Sequence, residues 1–248
     1  MFPSVSIVSS VLNGAATIGD CIESVRRQAP PAEHIVIDGG STDGTVEIVR
    51  QYGDAVARFV SEPDGGIYDA MNKGIALATG EVIGILNADD LYADDRVLSD
   101  VTKVFEDPSV DSCYGDLVYV DPSDTGRVVR AWRAGSFRKE SFYRGWMPPH
   151  PTFFVRRAIY ERCGLFNLAL GTAADYELML RFLLRHGIST VYIPRVLVKM
   201  RAGGASNRSL GNRIRANRMD RLAWKVNGLT QRPWTTLLKP VRKIPQFL

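Results

Sequence analysis

Asp89 and Asp90 stand side by side in Asn87-Ala88-Asp89-Asp90, directly after the apolar run Val82-Ile83-Gly84-Ile85-Leu86. Two adjacent carboxylates repel each other unless a cation sits near them. A hard divalent cation, Mg²⁺ or Mn²⁺, meets that need, because it takes oxygen ligands and shares them with a substrate diphosphate. The competing reading makes the pair ordinary loop acids and helix caps. Three other residues invite chemistry. His150 is enclosed by prolines in Met147-Pro148-Pro149-His150-Pro151-Thr152, which is extended because each proline drives its predecessor out of the helical region. Asp175 precedes Tyr176, Met179, Leu180, Leu183 and Leu184, an amphipathic helical spacing. By position alone it complements the helix dipole or closes a cap with Thr172. Arg201 opens Arg201-Ala202-Gly203-Gly204, a loop that can either close over a diphosphate or simply be solvated.

The elements that must position these groups alternate. Residues 4–11 read as a strand, and Ile18, Cys21, Ile22 and Val25 mark one face of the helix that follows. A second strand at 33–37 ends in the turn 38–45, which holds three glycines and good helix caps before a helix at 46–52. A third strand at 57–61, the turn Glu62-Pro63-Asp64-Gly65-Gly66, a helix at 67–78 and a strand at 81–86 complete β-α-β-α-β-α-β. That alternation predicts an α/β fold: a mostly parallel open sheet with helices on both faces, with its ligand in the crevice beyond the strand ends. The dinucleotide fingerprint Gly-x-Gly-x-x-Gly is missing after the first strand, so a Rossmann dehydrogenase is a poor fit. Farther on, Asp94-Asp95 opens a helical spacing at Val97, Leu98, Val101, Val104 and Phe105. Residues 110–114 and 117–120 are two β-rich runs joined by Gly115-Asp116, the stretch 133–149 is aromatic and basic, 156–163 reads as a helix and 191–200 as a last strand.

Four stretches in this order resemble family 2 glycosyltransferases of the GT-A fold: residues 4–13, 36–45, 62–74 (with Tyr68-Asp69-Ala70-Met71-Asn72-Lys73-Gly74) and Asn87-Ala88-Asp89-Asp90. The likeness covers about residues 4–205 and is greatest to bacterial transferases of the colanic-acid or exopolysaccharide type. It implies an inverting transfer of a sugar from a nucleotide-diphosphate sugar to an acceptor hydroxyl, in a saccharide or a polyprenyl-diphosphate-linked lipid. It implies donor contacts from Asn13, Asp38, Asp64, Asn72, Lys73, Asn87 and Arg201, a metal on Asp89 with Asp90 or His150 in support, and Asp175 as catalytic base. The chain departs from the pattern at Gly39, where the family often shows a second Asp, and at Asn87, which replaces the first Asp of Asp-x-Asp. Met71 stands where Arg is common, and Ala174 replaces the Glu of Glu-Asp.

Composition bounds the rest. The chain has 248 residues, 45% of them hydrophobic, enough for one large domain with a tail. We divide it into a catalytic domain at 1–207, with a nucleotide-sugar half at 1–106 and an acceptor half at 107–207, and a basic helical tail at 208–248. Three dispersed cysteines suit a reducing compartment and argue against a disulfide framework or a zinc site. Met1-Phe2-Pro3 carries no basic leader, and no apolar run nears the roughly 20 residues of a membrane span. The net charge of +4 is uneven: residues 201–248 hold 11 Lys/Arg and one acid, Asp220, which leaves −6 on residues 1–200. The tail mixes Arg213, Arg218, Arg221 and Lys225 with Trp224 and Trp234, a pattern suited to an anionic membrane surface. A helix packed on the domain or on a second subunit of a homo-oligomer is the alternative. Nucleic acid is a lesser match, because no recognised nucleic-acid motif accompanies the charge. The expected place is cytoplasmic, peripheral on the inner face of the plasma membrane. Two other functions fit the residues less well. A sugar nucleotidyltransferase needs a basic glycine loop that Leu12-Asn13-Gly14-Ala15 does not supply. A non-catalytic nucleotide-sugar-binding scaffold has no need to retain both Asp89 and Asp175.

Overall fold

A computed structural model describes residues 3–203, 210–235, Leu238 and Gln246. Its first half is parallel. Strands β1 (Val5–Val11), β2 (Glu33–Asp38), β3 (Arg58–Ser61) and β4 (Val82–Ile85) run in the spatial order β3-β2-β1-β4. Helices α1 (Ile18–Arg26), α2 (Thr45–Gln51) and α3 (Ile67–Leu77) connect them. Every residue of β1 is buried, as befits a parallel strand covered on both faces. Successive strands leave β1 on opposite sides, to β2 and to β4. That reversal opens a crevice at the strand ends, where Asn13 follows β1 and Asn87 follows β4.

The second half is mixed. It comprises β5 (Asp90–Tyr92), α4 (Val97–Val104), β6 (Ser112–Val120), β7 (Val128–Trp132), α5 (Lys139–Phe142), β8 (Phe154–Arg156), α6 (Arg157–Cys163), α7 (Ala174–Met179), β9 (Thr190–Arg201) and α8 (Leu210–Val226). The sheet continues from β4 through β8, β6 and β9 to β5, with β7 on β6, and only β6 and β9 are parallel there. The two β-rich runs expected around Gly115-Asp116 form one strand, β6, whose register with β9 shifts at those residues. A Cβ at Gly115 would lie 2.5 Å from Leu197 Cγ, so the glycine admits close passage of β9 and makes no turn. Asp90 does not end in a turn either. It begins β5, paired antiparallel with β9 opposite Met200.

Two features of the second half hold the site. The amphipathic run after Asp175 is α7 followed by a π-helical turn over Leu180–Arg185. Inside it, the buried Arg181 Nε donates to Glu177 Oε1 at 2.9 Å, and its guanidinium also donates to the carbonyls of Cys163, Gly164 and Leu165. The aromatic stretch expected near the acceptor is mostly core. Phe142 and Trp146 are buried around Tyr114 and Tyr176, and Trp146 Nε1 donates to the Ala134 carbonyl at 2.7 Å.

The described part of the tail docks on the domain. Ala223 and Trp224 are buried, Trp224 Nε1 donates to Tyr176 Oη at 3.0 Å, and Asn227 Nδ2 donates to Glu177 Oε1 at 3.2 Å. Arg218, Arg221 and Lys225 stay exposed. The side chain of Arg213 lies outside the described residues, as do Gly204 to Arg208. All three cysteines are free and buried, and burial pushes the Cys21 thiol up to about 12, which makes it a poor nucleophile at neutral pH. Among the described residues, no helix is long and apolar enough to cross a membrane.

Candidate active site

The donor side of the crevice is a pair of interlocked loops. Asn13 takes a left-handed conformation, φ 52°. Its backbone N–H donates to Ser41 Oγ at 2.7 Å, and its side-chain oxygen accepts from the Thr42 N–H at 3.0 Å. The N–H groups of Gly14 and Ala15 donate to Thr45 Oγ1 and Asp43 Oδ2, both at 3.0 Å. Asp38 is wholly buried at the end of β2. Its carboxylate accepts from the N–H groups of Gly40 and Ser41, from Ser61 Oγ at 2.7 Å and from Ser41 Oγ. The expectation that Asp38 faces a nucleotide is therefore corrected: turn donors occupy its oxygens, and it shapes the loop. Asp64 is partly exposed beside that loop, with Oδ2 only 2.6 Å from where a Cβ on Gly39 would stand. A side chain at position 39 would require Asp64 to shift.

The acidic motif divides. Asp89 is partly exposed at the crevice. Asp90 is fully buried, and neither of its carboxyl oxygens has a hydrogen-bond partner. Burial first, and then the Asp89 charge, push its carboxyl well above the usual carboxylate range, while Arg201 and the Asn87 amide pull the other way. Asp90, expected to support the metal, is an interior group. Arg201 is also corrected. It is the last residue of β9 and nearly buried, with Nη2 donating to Asp20 Oδ2 at 2.5 Å and Nη1 to the Asp89 carbonyl at 3.0 Å. The strand ladder holds it against the backbone of the motif. Asn87 lies at the crevice, where its Oδ1 accepts from Ser10 Oγ at 3.4 Å.

The opposite wall carries Asp175, partly exposed in the first turn of α7, with Oδ1 accepting from the Tyr176 N–H at 2.7 Å. Tyr68, in the first turn of α3, faces it. Burial, followed by the Asp175 charge, raises the phenol above its ordinary range. Phe166 fills the floor, its ring 5.3 Å from Tyr68 and 5.6 Å, edge-on, from His150. His150 Nε2 is buried without a hydrogen-bond partner, and burial lowers the imidazole while Asp175 opposes that shift. His150 stands within electrostatic reach of Asp175. Asn72 is corrected as well. Its amide donates to the Phe166 carbonyl at 3.0 Å and accepts the Phe166 N–H at 2.9 Å, leaving it little capacity for a ligand. Lys73 pairs with Glu62 at 2.8 Å and reaches the Pro63 carbonyl at 3.4 Å, so it braces the donor turn. Tyr68 and Phe166 escaped sequence reasoning. The available signal was the four-residue spacing of Tyr68 and Asn72, which puts them on one helix face directly after Gly65-Gly66.

Among the described residues, no three His, Cys, Asp or Glu side chains converge on one metal position. The partly exposed Asp89 carboxylate would suit a divalent cation in the manner of Mg²⁺ sites that take one or two carboxylates and complete their shell with substrate phosphates and water.

Residues 6–164 match the family described as Glycosyl transferase family 2. The chain belongs to glycosyltransferase family 2. A PGL/p-HBAD biosynthesis glycosyltransferase of Mycobacterium tuberculosis is 30% identical over 211 residues, spanning 83% of this chain and 80% of that protein. The chondroitin synthase of Pasteurella multocida is 30% identical over 182 residues, which are 72% of this chain and 19% of that protein. Among solved structures, S. aureus TarS 1-349 in complex with UDP-GlcNAc superposes with a TM-score of 0.70 at 18% identity, covering 90% of this chain and 66% of that one. The mannosyltransferase PcManGT from Pyrobaculum calidifontis, in complex with GDP-Man and Mn²⁺, gives 0.67 at 21% identity over 98% and 70%. Likeness at these identities establishes a shared fold, the nucleotide-sugar transferase architecture. In this family 2 glycosyltransferase the matched span contains Asn13, Asp64, Asp89 and His150 and stops before Asp175.

Proposed function

We propose that this glycosyltransferase moves a sugar with inversion from a nucleoside-diphosphate sugar to a hydroxyl of a lipid-linked saccharide, in bacterial surface-polysaccharide assembly of the exopolysaccharide type. One observation carries the reading. Asp175, remote in sequence, meets Tyr68 two residues past the Asp64-Gly65-Gly66 donor turn, so a carboxylate stands beside the donor crevice. The acceptor oxygen attacks the anomeric carbon, the bond from that carbon to the diphosphate oxygen breaks, and the acceptor proton passes to an Asp175 oxygen. A positioned carboxylate of this kind suits general-base catalysis. Asp89 would hold Mg²⁺ or Mn²⁺ jointly with the diphosphate, and the cation would neutralise charge on the leaving group. The interlocked loops around Asn13 and Asp38 shape the nucleotide end of the crevice, with Asp64 and Asn87 at its rim. A screen of UDP- and GDP-sugars with and without Mn²⁺ tests the reading. At least one should bind by calorimetry and be turned over in a metal-stimulated manner. If none binds and none is consumed, the donor assignment fails.

The lipid-linked acceptor rests on the α8 surface. Arg218, Arg221 and Lys225 are exposed at i, i+3 and i+7, one basic face opposite the buried Ala223. Such residues gain about 1 kcal/mol each near an anionic bilayer. The full chain is expected to sediment with vesicles rich in anionic lipid at low salt and to be released as salt rises. A chain that stays in the supernatant at low salt would reduce α8 to an intramolecular brace or a subunit contact.

A further inference from the structure

Tyr68 has no role in the mechanism above, yet the fold fixes it with care. Helix α3 lies unusually close to the central strand, because a Cβ at Gly74 would come within 2.2 Å of Val8 Cγ1. One helical turn after Tyr68, Asn72 binds both backbone groups of Phe166. The Phe166 ring in turn packs on Tyr68 with centroids 5.3 Å apart. The ring is therefore set by a helix seated on β1 and by a loop bolted to that same helix, and its hydroxyl faces Asp175.

We propose that Tyr68 is a positioning residue for the base: its phenol donates to the Asp175 carboxylate and holds one oxygen toward the acceptor hydroxyl. The inference rests on Asp175 being the base. Asp175 Oδ1 already accepts from the Tyr176 N–H at 2.7 Å. A second donor on the carboxylate leaves the remaining lone pairs for the incoming proton and removes rotational freedom about the side chain. The other groups around Asp175 do not duplicate this. His150, from the turn at His150–Thr152, feels the Asp175 charge across the Phe166 edge. Glu177, on α7 itself, is paired with Arg181 and Asn227. From α8, Trp224 and Asp220 address Tyr176. Helix α3 starts at the donor turn, so the same rigid element that lines the donor crevice aims the base.

Tyr68→Phe tests the inference, since it keeps the ring contact with Phe166 and removes only the hydroxyl. The expected result in the full chain is a kcat lower by about 10- to 100-fold with the donor KM within about twofold of wild type. A kcat like wild type would overturn the inference. So would a loss of donor affinity by calorimetry, since it makes Tyr68 a packing residue only. Asp175→Asn separates the two readings. If it transfers at near wild-type rate, the base assignment itself falls. If it is inactive while Tyr68→Phe keeps the wild-type kcat, only the positioning role falls.

Discussion

Replacing Asp175 with asparagine is expected to abolish sugar transfer while leaving donor affinity close to that of the wild-type chain. The amide is nearly isosteric, and its oxygen can still accept the Tyr176 N–H that Asp175 Oδ1 accepts at 2.7 Å. The start of α7 therefore keeps its geometry. The amide cannot take a proton from an acceptor hydroxyl, and a general base is worth roughly 10²- to 10⁴-fold. Steady-state transfer with the best donor from the screen, alongside calorimetry of the same donor, makes the measurement. Retention of a tenth or more of wild-type turnover would remove Asp175 from the role. The expected split between lost transfer and intact binding follows from its place on the wall formed by Tyr68, Phe166 and His150, away from the loops around Asn13 and Asp38.

Asp89→Ala should remove the metal-stimulated part of donor binding, with Asn87→Ala milder. Of the three residues expected to hold a metal, Asp89 alone offers a partly exposed carboxylate at the crevice. Asp90 is buried in β5, and His150 stands by Asp175. The loss should be at least about 100-fold in the presence of Mn²⁺, given that outer-shell partners of a metal alone are worth about 10- to 100-fold. Calorimetry with and without Mn²⁺ reads it. The backbone carbonyl that Arg201 contacts at 3.0 Å survives the substitution, so the loop should remain anchored. A variant whose affinity still rises with Mn²⁺ as in wild type would move the metal elsewhere.

The two experiments also bear on the Asp90 and Arg201 pair. Asp90 is a buried carboxyl one residue from Asp89 whose burial favours its neutral form, while Arg201 holds the Asp89 backbone carbonyl from inside the protein.

The sequence by itself determined the parallel half and the ends of its strands. Apolar runs ending in glycine and acidic turns place β1 to β4 and their helices to within a residue or two, because a strand buried on both faces and a helix buried on one leave different periodicities. Position alone brought Asn13, Asp64, Asn87 and Asp89 to one crevice, since turns that follow parallel strands share one edge of the sheet. Only the tertiary structure decided which polar groups point outward. Asp38 ends β2 and Asp89 lies in the turn after β4, yet turn donors satisfy the first and the second remains partly exposed, a difference set by Ser41 and Ser61, one of them distant in sequence. Asp90 disappears into the core because β9 returns antiparallel to pair with it, and no local pattern announces that pairing. The wall of Asp175, His150, Phe166 and Tyr68 is assembled from four separate segments, and Asn72 spends its amide on the backbone of one of them. The basic tail illustrates the same limit. Its charge was legible along the chain, but the burial of Trp224 against Tyr176 depends on a hydrogen bond and an apolar surface that exist only once α7 has folded.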